Sequence, residues 1–365
     1  MLKIFLLILL FIHGMIHILG FLKAFQLAEI NQLTQNISKP MGIFWLIALL
    51  LFLVTVIQLI NNNDLWWITA LAAVILSQVL IILFWQDAKF GTIANIIILL
   101  SVIAGYGFWS FENVFNNDVA IRLETSSKIE KNLLTEIDIE HLPLSVQKYL
   151  RYTGVINKEK VNNVKIIFDV EMREKGKDWF KATSLQYNFF DEPTRLFFMK
   201  AKMFGMTVPG YHRYVEAKAT MDIRLFGLFS IVKQSGEIMN KTETVTLFND
   251  MCLMVPATLI DKRIQWEPID SLTTKAVFTN RGISISAILY FNESGQLINF
   301  TSDDRTAISD MKQYRFSTPV KDYKNLNVRN VPTYGKAVWH YQDGEFVYGK
   351  FNLKDIKYNL KSSGD

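Results

Sequence analysis

His13 and His17 stand four residues apart in an uncharged apolar run, so on a helix they share one face. Imidazoles in such a setting ligate a metal or haem, carry protons, or hydrogen-bond a neighbouring helix. Gln78 and Asn95 lie in two later apolar runs, and these runs contain no carboxylate or thiolate that would complete a metal set. Interhelical hydrogen bonding among His13, His17, Gln78 and Asn95 is therefore the expected role, with no metal and no cofactor.

A second group of chemically capable residues is Asp303, Asp304 and Arg305, just after a predicted strand near Leu297 to Phe300, with His212, Glu237 and His340 elsewhere. Charged residues at strand ends usually solvate turns. HExxH, GxSxG, a Walker A loop and a GxGxxG following a strand are all missing from the sequence. An enzyme with an unfamiliar acidic site is thus the secondary reading. The third group is apolar: Phe189 to Met206 is rich in phenylalanine and methionine, and Phe198, Met203, Phe204 and Met206 are expected to line a pliable ligand surface. Plain core packing is the competing role for each of them.

The elements that must hold these residues divide sharply. Ile4 to Leu22, Met41 to Ile60, Leu65 to Gln86 and Gly91 to Phe111 are free of charge, and each approaches the roughly 20 helical residues that cross a ~30 Å hydrocarbon core. Four transmembrane helices follow. Trp66, Trp67, Tyr106 and Trp109 then fall at one interface and Trp45 and Trp85 at the other, as aromatic belts do. Lys23, Lys39 and Lys89 lie closer to the helix ends than Lys3, Arg122, Lys128 and Lys131, which leans the soluble part toward the extracytoplasmic side. The intervening stretch Lys23 to Pro40 is weakly amphipathic and reads either as an interfacial helix or as a loop packed on the bundle.

From Glu112 the composition turns polar, giving a helical membrane domain at 1–111, a linker at 112–140 and a soluble β-rich domain at 141–365. Pro143 opens a short helix with Val146, Tyr149 and Leu150 on one face, and Gly154 ends it. Val164 to Met172, Val215 to Leu225 and Ile283 to Phe291 alternate with period two and read as half-buried strands. Turns at Asn292 to Gly295 and at Asp343 and Gly344 make antiparallel hairpins. Asn240 with Glu243 reads as a capping box opening a helix that ends at Pro256. The whole is α+β, a curved antiparallel sheet covering helices, behind a membrane α-helical region.

The net charge of +5 is spread through a chain of mixed sign, which argues against nucleic acid as a partner. The single cysteine, Cys252, excludes an intrachain disulfide or a CxxC pair.

The strings LPLSVQKYLRYTGV at Leu142 to Val155, HGMIH at His13 to His17, SKPMG at Ser38 to Gly42 and DAKFGTIAN at Asp87 to Asn95 resemble an uncharacterised bacterial membrane-protein family. In that family a four-helix region precedes a domain of unknown function, so the resemblance implies architecture and a bacterial inner membrane but no mechanism. The soluble part also resembles, in its order of strands and helices, the lipoprotein-carrier fold. That likeness implies an apolar cavity and a membrane-anchored binding or carrier module for a lipid or other apolar molecule, with membrane lipids as partners.

Overall fold

The computed structural model describes residues 2–126, 132–203 and 205–362. The chain divides into two units, one built on Met1–Asn113 and one on the chain from Val114 onward, with two short turn stretches of the later chain grouping with the first.

In the first unit the helices are α1 (Leu2–Ile16), α2 (Ile18–Ala24), α3 (Lys39–Ile60), α4 (Trp66–Leu83), α5 (Trp85–Ala88) and the first part of α6 (Gly91–Ser126). Four helical stretches, Leu2–Ala24, Lys39–Ile60, Trp66–Leu83 and Gly91–Ser126, are long and apolar enough to cross a membrane. Glycine allows the first to lie close against α3: a Cβ at Gly20 would fall 2.1 Å from the Trp45 ring, and one at Gly14 would fall 2.7 Å from the Phe52 Cβ. Trp67 meets Tyr106 and Trp109 edge-on or tilted, with centroids 5.1 and 5.5 Å away. Residues 25–38 contain no helix and are pinned as a loop, because the Asp87 carboxylate accepts from the Thr34 amide (2.6 Å), the Thr34 hydroxyl (2.7 Å) and the Gln35 amide (3.0 Å).

Helix α6 does not stop at Phe111. Phe115, Val119 and Leu123 recur every four residues and are buried, which keeps residues 112–126 helical where a polar linker was expected.

The second unit continues with α7 (Glu136–Ile139) and α8 (Leu144–Thr153), the latter ended by Gly154 at φ +70°. Strands β1 (Asn163–Met172), β2 (Phe180–Phe189), β3 (Thr194–Met203), β4 (Met206–Val215), β5 (Lys218–Leu225) and β6 (Phe229–Ser235) follow as one meander. Helix α9 (Glu237–Met254) crosses back. A second meander then runs through β7 (Ile264–Pro268), β8 (Thr273–Asn280), β9 (Ile283–Phe291), β10 (Leu297–Ala307), β11 (Lys312–Ser317), β12 (Val320–Leu326), β13 (Arg329–Tyr341) and β14 (Gly344–Tyr358). The two meanders join where β1 pairs antiparallel with β14, giving one curled fourteen-stranded sheet with β6 and β7 at its ends. Its inner face is packed by α9 and α8: Phe248 stacks on Phe278 at 5.2 Å, and the buried Tyr149 hydroxyl donates to the Cys252 carbonyl at 2.9 Å.

Three local readings change. The eleven-residue strand Val215 to Leu225 is split by a turn at Glu216 and Ala217, both at positive φ (54° and 60°), with neither glycine nor asparagine to announce it. Asn240 is not a cap, because α9 begins at Glu237 and the Asn240 side chain accepts from the Ala219 amide at 2.6 Å. Asp303, Asp304 and Arg305 lie within β10, which continues through Ala307 by pairing with β11.

Candidate functional site

His17 interrupts α1 and α2, and its side chain takes up part of the freed backbone. Nδ1 is 2.8 Å from the His13 carbonyl, which only accepts, so Nδ1 carries the proton and Nε2 accepts from the Ser77 hydroxyl at 2.9 Å. His13 Nε2 in turn must donate to Asn95 Oδ1 at 2.9 Å. The Asn95 amide donates to Ser77 Oγ (3.1 Å) and Gln78 Oε1 (3.0 Å), and Gln78 donates to Thr92 Oγ1 at 3.2 Å. The structure thus brings His13, His17, Gln78 and Asn95 into one network through Ser77, a hub the apolar sequence around it did not advertise. Among the described residues no three His, Cys, Asp or Glu side chains gather as a metal site.

In the second unit a buried ionic cluster lies between α9 and strands β2 to β4. Arg195 pairs with Glu243 (3.2 Å) and Asp250 (2.8 Å), with side-chain exposures of 8% for the arginine and 3% for Glu243. Gln186 and Asn188 also donate to Asp250, at 2.6 and 3.1 Å. Burial alone would raise the Glu243 carboxyl, but His212, whose Nδ1 is 3.5 Å away, and the Arg195 guanidinium outweigh it and hold it at about 2. Of the other sequence candidates, Asp304 is tied to Lys241 (2.7 Å) and the Ser286 amide (2.7 Å), Asp303 to Arg315 (2.9 Å), and His340 to Ser317 (2.8 Å). Glu237 is the exposed first residue of α9. These groups do not converge on one point.

Beyond the ionic cluster the inner sheet face turns apolar. On β3, Arg195 is followed on the same face by Phe197, Met199, Ala201 and Met203, because side chains two apart share a side. Phe197, Met199 and Ala201 pack with Val170 of β1 and Ala182 of β2, and Phe168, Met172, Phe180, Met203 and Phe351 join them. Phe351 also belongs to a neighbouring cluster of Phe316, Ala337 and Trp339, fringed by Phe346 and Tyr348. One strip of aromatic and methionine side chains therefore runs across β3, β2, β1, β14, β13 and β11. Among the described residues no helix is part of either cluster.

Phe198 points to the opposite face, where Phe115 of α6 meets it at 5.4 Å and Tyr211 at 6.3 Å. There the Asp118 carboxylate accepts from Tyr211 Oη (2.8 Å) and Arg213 Nε (2.9 Å). Met203 and Met206 are half-buried, and Phe204 lies outside the described residues. A cavity of about 10 Å³, between Ile238, Met239 and Thr242 of α9 and Thr306 of β10, is large enough for one water and no more.

An apolar helical region followed by a curled antiparallel sheet that wraps helices defines the class of protein. Residues 132–351 match the family of unknown function DUF6544, and the chain belongs to that family. The string at Leu142 to Val155 falls inside the match. No curated protein matches the chain. Among solved structures it is similar to a putative outer membrane lipoprotein-sorting protein domain from Vibrio parahaemolyticus, at 8% identity and TM-score 0.34, over 54% of this chain and 84% of that one. A LolA superfamily protein from Nitrosomonas europaea is similar at 10% identity and TM-score 0.33, over 59% and 94%. A β-barrel-like protein of the DUF1849 family from Brucella abortus is similar at 7% identity and TM-score 0.19, over 55% and 98%.

Proposed function

We propose that this protein is a membrane-anchored binding or carrier module for a lipid or other apolar molecule, held in the bacterial inner membrane by its four apolar helices. The observation that carries this reading is the aromatic and methionine strip on the inner sheet face, which continues past α9 without a helix in its clusters. A globular sheet normally buries such a face under a second layer. Here Phe168, Met172, Phe180, Met203 and Phe351 are only partly buried, and Met172, Met199 and Met203 supply the adaptable side chains that reshape around a flexible chain. In this reading the side chains of the strip close it in the empty state and part to admit an acyl chain. Covalent attachment to membrane helices keeps the local concentration of such a ligand high.

The test is photocrosslinking in lipid bilayers. The full chain is reconstituted with a diazirine-bearing acyl lipid, irradiated, and its adducts are mapped by peptide mass spectrometry. Adducts within 197–203 and 339–351 that fall on Met199→Glu or Met203→Glu are expected. Adducts confined to residues 1–111 would reject the carrier reading.

A further inference from the structure

We propose that the strip ends in an anion-binding position built on Arg305, so that the ligand is an acyl amphiphile with an anionic head. This deepens the carrier reading and rests on it. The Arg305 guanidinium lies 4.1 Å from the Phe316 ring centroid and 5.3 Å from that of Trp339, inside the aromatic part of the strip. Its Nη1 donates to Tyr348 Oη at 2.9 Å, while its Nε is buried with no hydrogen-bond partner.

Among the described residues no carboxylate lies within 4 Å of Arg305. The acids nearest in sequence are committed elsewhere, Asp303 to Arg315 and Asp304 to Lys241, and Glu243 is paired with Arg195. Arg195 has two anions, and Arg213 and Arg263 have Asp118 and Asp261, while among the described residues Arg173 and Arg329, which also lack a carboxylate within 4 Å, donate instead to the backbone carbonyls of Val347 and Glu159. Glu243, the carboxylate that feels the Arg305 charge, is already bound by Arg195, so an arginine stacked on aromatic rings, with an orphaned N–H and no carboxylate within 4 Å, is arranged to receive a carboxylate or phosphate oxygen. The Tyr348 hydroxyl is a second donor to the same anion, and Phe351, which both apolar clusters share, continues the path for the chain. Charge complementarity thus selects the head, and the strip selects the tail.

The same crosslinking experiment separates the two levels. A diazirine palmitic acid is compared with its methyl ester, which keeps the tail and loses the charge, and with a diazirine lysophosphatidylglycerol. On the wild-type chain an anionic probe is expected to half-saturate the strip at roughly tenfold to a hundredfold lower concentration than the ester, the value of a charge-assisted bond. Arg305→Gln should abolish that difference, and Arg305→Lys should keep part of it. Preference for the free acid assigns the head to a fatty acid and preference for the lysolipid assigns it to a phospholipid; either supports the proposal. Equal labelling of the wild-type strip by acid, lysolipid and ester overturns it and leaves the carrier reading standing. Labelling of the strip by none of the three rejects both. The ester comparison needs no variant, so misfolding of Arg305→Gln does not blunt it.

Discussion

The apolar-helix unit and the strand-rich unit both bury polar side chains, and they do so in opposite ways. Around Ser77 every partner is neutral, with two imidazoles, two amides and hydroxyls passing hydrogen bonds among themselves. Around Arg195 the partners are ionised, with two carboxylates and a guanidinium locked under α9. On the proposed membrane anchoring the difference follows from the surroundings, because hydrocarbon cannot solvate a residual charge and a span is best served by groups whose donors and acceptors cancel. A soluble core tolerates ions when each is paired and hydrogen-bonded, as Asp250 is by Arg195, Gln186 and Asn188.

The comparison breaks first at Arg195. Arg195→Met strands the buried Glu243 and the half-buried Asp250 carboxylates, and a loss of about 3–5 kcal/mol is expected, read by chemical unfolding of the detergent-solubilised full chain. A loss smaller than that of any span variant would mean the ionic cluster is not what holds α9 to β3.

Acid sharpens the contrast next. The Glu243 carboxyl is held at about 2 against an ordinary 4.5, so its folded value is depressed. The stability it contributes is complete above about 4.5 and is lost as pH falls from there through about 2. Thermal melting should show this acid limb, and Glu243→Gln should flatten it. Asp138, held at about 2 mainly by the Lys160 hydrogen bond, leaves a residual slope in that variant.

Within the apolar helices, Ser77→Ala removes the hub between His17 and Asn95 and should cost about 1–2 kcal/mol, the upper range for bonds between membrane helices. Thermal melting in detergent checks it. Gln78→Leu, at the outer end of the network, should cost only about 0.6 kcal/mol. A reversed order would place the energetic centre of the network at Gln78 and Thr92 rather than at Ser77.

The four apolar helices were legible because charge-free length is a strong signal, and His13, His17, Gln78 and Asn95 stood out against it. Ser77 did not, since an isolated serine is unremarkable in an apolar helix. In the strand-rich unit the limits were physical. Residues 196–199 are apolar on both sides of β3, because one face meets the inner strip and the other meets α6, so alternation could not tell Phe197 and Met199 from Phe198. The helical run of residues 112–126 hid among polar residues, with only Phe115, Val119 and Leu123 to betray it. Arg195 finding Glu243 and Asp250 depends on how a curled sheet meets a helix, which one sequence does not encode locally.

The pairing of β1 with β14 sets when this domain can finish folding. Val164 sits opposite Tyr358, so the seam between the two meanders waits until β14 has left the ribosome. The hairpins of β1 to β6 close over short loops and can form during synthesis. Until β14 arrives, one side of β1 is an open strand edge with unpaired amides and carbonyls. A chain that lacks β14 therefore keeps the half-sheet open at β1 and prone to pair with another chain.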